Sequence, residues 1–127
     1  MNIYQQELLD HFHSSTYRGT VENPSLVSAQ YNPSCGDAVS LTASVDNGII
    51  TAIRFTGSGC VISQATASLL CGYVTGRSLE EIQAITTQQL IALIKVSLGP
   101  TRLKCALLSL YALQEGIKQL NAKEQNA

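Results

Sequence analysis

The fold is decided by Val39-Ser40-Leu41-Thr42-Ala43-Ser44-Val45-Asp46-Asn47-Gly48-Ile49-Ile50-Thr51-Ala52-Ile53-Arg54-Phe55-Thr56-Gly57-Ser58-Gly59-Cys60. Val39, Leu41, Ala43 and Val45 alternate with Ser40, Thr42 and Ser44, the two-residue period of a half-buried strand. Asn47-Gly48 tolerates the positive φ of a two-residue hairpin turn, so the chain reverses there into a second strand from Ile49 to Phe55. Beyond Phe55 the period changes. Gly57-Ser58-Gly59 breaks the strand, and Ile62, Ala65, Leu69 and Tyr73 follow helical spacing from about Val61 to a stop at Gly76.

Upstream, Val27, Ala29 and Tyr31 alternate with Ser28 and Gln30, which adds a strand before the hairpin. Tyr4, Leu8 and Phe12, spaced by four, predict a short amphipathic helix ending near His13, and Ser14 to Pro24 reads as an irregular connection. Downstream, Ser78 and Glu81 have the spacing of a capping box that starts a short helix. A further helix carrying Leu90, Ile94 and Leu98 is predicted to end at Gly99. Pro100 suits the first turn of a last helix, which places Leu103, Leu107, Leu110, Ile117 and Leu120 on one stripe. Residues 118–127 are expected to form a partly disordered tail, polar from Asn121 onwards. Strands first and helices afterwards predict an α+β domain over residues 1–127: a three-stranded antiparallel sheet with helices packed on one face.

With 127 residues and 45% apolar composition the chain suits one domain with its own core. A net charge of −1, no basic run and only 13% charged residues argue against nucleic acid or an anionic membrane surface as partner. The start, Met1-Asn2-Ile3-Tyr4-Gln5-Gln6-Glu7, lacks the marks of a signal peptide, and no apolar run approaches the roughly 20 residues that span a bilayer. A cytoplasmic protein is therefore expected, and in that compartment the four cysteines read as metal-binding or reactive thiols before disulfides.

Three of the cysteines lie at junctions. Cys35 sits in the turn-rich loop Asn32-Pro33-Ser34-Cys35-Gly36-Asp37 between the first two strands. Cys60 opens a helix, where free amide groups and the helix dipole favour a thiolate. Cys105 lies in the first turns of the last helix beside Arg102 and Lys104, two cations that would also favour ionisation. Zinc and iron take thiolate ligands, and Asp37 is the acid best placed to supply a fourth donor. The long separations lack the Cys-x-x-Cys knuckle of zinc ribbons, so spacing alone leaves open the alternative of small buried side chains. Cys71, in mid-helix, is read as core. His11 and His13 in the first helix are not expected as ligands, and Tyr4 is expected to pack the first helix onto the body.

Leu9-Asp10-His11-Phe12, Asn32-Pro33-Ser34-Cys35-Gly36-Asp37, Ile53-Arg54-Phe55-Thr56-Gly57-Ser58-Gly59-Cys60-Val61-Ile62-Ser63 and Arg102-Leu103-Lys104-Cys105-Ala106 together resemble the iron–sulfur cluster assembly scaffolds, comprising IscU, SufU and the amino-terminal domain of NifU. The resemblance implies an α+β fold of this kind. It also implies that Cys35, Asp37, Cys60 and Cys105 match the residues that bind zinc or hold a nascent [2Fe–2S] cluster, that sulfur arrives as persulfide from a cysteine desulfurase, and that acceptor apoproteins receive the product. Where IscU-type scaffolds carry a histidine before the third cysteine this chain has Lys104. Where they carry the Leu-Pro-Pro-Val-Lys segment of a specialised Hsp70 chaperone it has Leu98-Gly99-Pro100-Thr101-Arg102, so the resemblance does not extend to that chaperone. Arg-x-Lys-Cys is instead SufU-like, whereas the 44 residues between Cys60 and Cys105 are IscU-like.

Three readings follow. The first is a scaffold that accepts sulfur, with Cys105 as persulfide acceptor and Asp37 as the exchangeable ligand; it is not a self-sufficient enzyme. The second is a zinc-dependent sulfurtransferase that activates its desulfurase without holding a cluster. The third is a structural zinc module, whose site would be closed and inert.

Overall fold

The computed structural model describes residues 2–125. Helix α1 (Ile3–His13) begins with a reciprocal cap: the Asn2 side chain accepts from the Gln5 backbone at 2.8 Å and the Gln5 side chain accepts from the Asn2 backbone at 3.0 Å. The chain then forms β1 (Leu26–Asn32), β2 (Asp37–Asp46) and β3 (Ile49–Ser58), an antiparallel sheet in the order β1-β2-β3. Asn47 and Gly48 take the expected positive φ, 52° and 74°, at the hairpin turn.

The irregular segment between α1 and β1 is pinned to the sheet. Gly19 N–H donates to the Phe55 carbonyl at 2.9 Å and Phe55 N–H to the Tyr17 carbonyl at 2.8 Å, while the Arg18 guanidinium lies 4.9 Å from the Phe55 ring centroid.

Four helices follow: α2 (Val61–Val74), α3 (Leu79–Gln83), α4 (Thr87–Ile94) and α5 (Pro100–Gln125). Ser78 caps α3 by accepting from Glu81 N–H at 3.1 Å. The Glu81 carboxylate accepts a hydrogen bond from the Ser78 hydroxyl at 3.3 Å and not from the Ser78 backbone, so the predicted cap is made on one side only. Leu41, Ile53 and Phe55 on the sheet meet Leu70 of α2 and Leu110, Leu113 and Ile117 of α5 in one core. The helices therefore cover one face, as the strand alternation requires.

Three expectations are corrected. Helix α4 stops at Ile94, not Gly99, because Lys95 turns into the left-handed region at φ 60° and Leu98 packs on the core from a loop. The expected tail from Asn121 is helical as far as Gln125, since Ala122, Lys123 and Glu124 are good helix formers and no glycine or proline interrupts them. Residues 126 and 127 of that tail lie outside the described residues. Leu8 and Phe12 join α1 to the core, whereas Tyr4, expected to pack, is exposed, with Lys95 Nζ 5.5 Å from its ring centroid. Among the described residues no helix is long and apolar enough to cross a membrane.

Candidate metal and sulfur site

The site forms where the β1–β2 loop and the open end of the β2–β3 hairpin meet the starts of α2 and α5. Pro33 to Gly36 close the β1–β2 connection: Gly36 N–H donates to the Asn32 carbonyl at 2.9 Å, Ser34 N–H donates to Asn32 Oδ1 at 3.1 Å, and Gly36 has φ 72°. This tight loop leaves Cys35 exposed at its tip and sets Asp37 as the first residue of β2, fully buried.

Asp37 organises the cluster. Its Oδ1 accepts the Cys60 backbone N–H at 2.7 Å, while its Oδ2 accepts the Cys35 thiol at 3.0 Å and the Cys60 thiol at 3.5 Å. The approach of the carboxylate to the chain explains Gly59, which has φ 130°. A Cβ there would collide with Asp37 Oδ1 and stand 2.8 Å from Asp37 Cα. In the sequence Gly59 reads as a strand breaker, with no local sign of this close approach.

Cys60 is the N-cap of α2, as expected, and its sulfur accepts Ser63 N–H at 3.5 Å. Cys105 reaches the cluster from α5, with its Sγ 3.5 Å from Cys35 Sγ. One donor atom each from Cys35, Asp37 and Cys105 lies within 4.8 Å of the others. Cys60 stands beside this group, joined to it through Asp37.

Burial pushes the Asp37 carboxyl up, but hydrogen bonds from Cys105, Cys35 and the Cys60 backbone and thiol outweigh it and leave the group below its ordinary value. The opposite holds for Cys105, and the expected depression of its pKa is corrected. Burial raises it, and hydrogen bonding of the protonated thiol to Asp37 and to the neighbouring cysteines raises it further. Arg102 and Lys104 do not counter this, because both are exposed on α5 while Cys105 turns inward at 3% exposure. Cys105 is also the sixth residue of α5, past the first turn, and its Sγ lies 3.4 Å from the Thr101 carbonyl oxygen.

Cys71 is buried in the core, where desolvation pushes its thiol up to about 12. His11 is spent elsewhere, with Nδ1 3.1 Å from Ser68 Oγ on α2.

The donor set fits a thiophilic ion. In a tetrahedral zinc site with sulfur at about 2.3 Å, two sulfurs stand about 3.8 Å apart. The 3.5 Å between Cys35 and Cys105 is close to that spacing. Thiolates with one carboxylate suit zinc and iron, whereas magnesium and calcium prefer all-oxygen shells.

A family model described as NifU-like N terminal domain matches residues 3–127. An iron–sulfur cluster assembly scaffold protein IscU of Thermotoga maritima is 28% identical, the alignment covering 94% of this chain and 95% of that one. A zinc-dependent sulfurtransferase SufU of Bacillus subtilis is 33% identical, covering 97% and 92%. Among solved structures, a putative iron–sulfur cluster assembly scaffold protein for the SUF system from Fervidobacterium islandicum superposes with a TM-score of 0.77 at 26% identity, covering 88% of this chain and 94% of that one.

Proposed function

Because the chain belongs to the family of NifU-like N-terminal domains, that of the IscU and SufU scaffolds, we propose that it accepts sulfur from a cysteine desulfurase and assembles or carries a [2Fe–2S] cluster on Cys35, Asp37, Cys60 and Cys105. The observation that carries this reading is the buried Asp37 carboxylate, which binds two cysteine thiols with one oxygen and the Cys60 backbone with the other. A third thiol lies 3.5 Å from the first. When bound, zinc or iron supplies the positive charge that displaces the thiol protons.

Each residue then has a distinct task. Cys35, exposed on its loop, marks the side from which a partner's persulfide approaches. Cys105, as thiolate, attacks the terminal sulfur of that persulfide. A new S–S bond forms on Cys105, the S–S bond of the desulfurase breaks, and its electron pair leaves with the desulfurase cysteine as thiolate. Asp37 is the exchangeable ligand, since an oxygen donor holds a thiophilic metal more loosely than sulfur does. Its bond to the Cys60 N–H through Oδ1 would keep the carboxylate in place if it released a bound ion. Acceptor apoproteins take the finished cluster.

A second reading is a zinc-dependent sulfurtransferase that passes persulfide on without holding a cluster. The grouping of one donor atom each from Cys35, Asp37 and Cys105 within 4.8 Å of one another favours it, because three donors that close suit a single tetrahedral ion, whereas two irons divide their protein ligands into separate pairs. Anaerobic reconstitution with iron, cysteine and a cysteine desulfurase separates the two. A [2Fe–2S] absorption spectrum that can be transferred to an apo-ferredoxin supports the scaffold. Tight zinc with faster desulfurase turnover and no cluster supports the sulfurtransferase, and the absence of both results overturns the sulfur-handling reading.

A further inference from the structure

Gln64 is the fourth residue of α2 and 2% exposed, a long polar side chain among Ala65, Thr66, Ala67 and Ser68. A primary amide is buried at a cost unless its polar atoms are met. Here only the donors are met, Oε1 being buried without a hydrogen-bond partner among the described residues, so the amide is held by its NH2 group alone. Nε2 donates to the Ser63 hydroxyl at 3.0 Å and the Ser58 carbonyl at 3.2 Å, with the Ala38 carbonyl at 3.4 Å. Both carbonyls can only accept, so the amide must face them with its NH2 group.

These three acceptors surround the Asp37–Cys60 contact. Ala38 follows Asp37, and it pairs across the sheet with Ser58, two residues before Cys60. Ser63 is bound to Cys60 twice, its hydroxyl donating to the Cys60 carbonyl at 3.1 Å and its N–H reaching the Cys60 sulfur at 3.5 Å. Ala38–Ser58 is the last rung of the β2–β3 ladder, so nothing further along the sheet holds the two strand ends together. Gly57 makes room for the arrangement: a Cβ there would stand 3.0 Å from Gln64 Oε1 and would collide with the Ala38 carbonyl.

We propose that Gln64 is a positioning residue of the site: its side-chain amide clips the first turn of α2 to the last rung of the β2–β3 ladder and thereby holds the Asp37 carboxylate against Cys60. The inference rests on the reading of Cys35, Asp37, Cys60 and Cys105 as metal ligands, to which Gln64 stands as an outer partner. Outer partners that orient ligands typically change metal affinity by about 10- to 100-fold when removed.

The test is Gln64→Met, which keeps the length and apolar bulk of the side chain but has no donor. Zinc affinity is measured by competition with a chromophoric chelator, ligand geometry by the visible spectrum of the cobalt(II)-loaded protein, and the clip itself by amide hydrogen exchange in the metal-free protein. The expected variant is folded, binds zinc about 10-fold or more weakly, shows shifted cobalt bands, and exchanges the Cys60 amide faster relative to core amides such as that of Leu41. Wild-type zinc affinity, cobalt spectrum and Cys60 exchange in a folded variant would overturn the proposal. A lower unfolding midpoint with those three readouts unchanged would overturn it too, leaving Gln64 as packing alone. If the wild-type protein takes up no zinc, the ligand reading fails, and Cys60 exchange still decides whether Gln64 holds the strand ends.

Discussion

The Cys60 backbone N–H donates to Asp37 Oδ1 at 2.7 Å, which ties the start of β2 to the start of α2 across the site. The same carboxylate thus does two jobs, as a buried acceptor for the fold through Oδ1 and, in the proposed function, as a metal ligand through Oδ2, which here accepts the Cys35 and Cys60 thiols.

Those jobs can be separated by substitution. Asp37→Ala leaves the Cys60 N–H without its acceptor and is expected to lower the stability of the metal-free protein by about 1–3 kcal/mol. Asp37→Asn keeps an oxygen for that bond and should lose less. Both should bind zinc more weakly, by about 10-fold or more, and alter cluster lifetime after reconstitution. Urea unfolding and metal analysis check this; unchanged metal content and cluster lifetime in Asp37→Ala would remove Asp37 from the ligand set.

Gly59→Ala should be severe for its size. The added Cβ meets the Asp37 carboxylate, and φ 130° is a region that side chains rarely adopt, a backbone cost of about 1–3 kcal/mol before the clash is counted. Expected outcomes are a lower thermal midpoint and weakened zinc binding together. A variant with full stability and full zinc affinity would contradict the packing of Asp37 against this turn.

Stability of the metal-free protein should fall at both ends of the pH scale. Cys71 is raised from 9.0 to about 12, and Cys105 is raised as well. Between pH 9 and 12 the unfolded chain has lost the Cys71 proton that the folded chain keeps, so this contribution is complete below pH 9 and drains away as pH rises. Cys71→Ala should flatten that limb in urea titrations. At the acid end Asp37 is lowered from 3.8, so its contribution is complete above that value and is lost as pH falls through the lower folded value.

Zinc binding should release protons. The raised pKa of Cys105 means that this thiol is protonated near neutral pH in the metal-free protein, and a coordinating thiol gives up its proton. Calorimetric titrations in buffers of different ionisation enthalpy should therefore show at least one proton released per zinc. A binding enthalpy independent of buffer would count against Cys105 as a ligand.

Much of this was legible in the chain itself. The alternation through Val45, the Asn47-Gly48 turn and the period change after Gly59 fixed the hairpin and the start of α2, because each is a local signal. The three cysteine junctions and Asp37 also came from local patterns. What the sequence did not disclose depends on direction or on distant partners. Arg102 and Lys104 lie within three residues of Cys105, yet they point to solvent while the thiol points inward, so proximity along the chain misled the expectation about its ionisation. The early end of α4 rests on Lys95 adopting a left-handed conformation that no residue type demanded. Gln64 carried one weak signal, a long polar residue among small ones, and its partners Ala38 and Ser58 are brought to it only by the strand pairing.

The central claim is that sulfur from a desulfurase is received on this cluster of thiols. It is tested most directly by incubating metal-loaded and metal-free protein with a cysteine desulfurase and cysteine, then alkylating and mapping the transferred sulfur by peptide mass spectrometry. The account predicts an added sulfur on the Cys105 peptide of the metal-loaded protein, and little in the metal-free protein, where burial and Asp37 keep that thiol protonated. Sulfur on none of Cys35, Cys60 and Cys105, or transfer undiminished by metal removal, would contradict it.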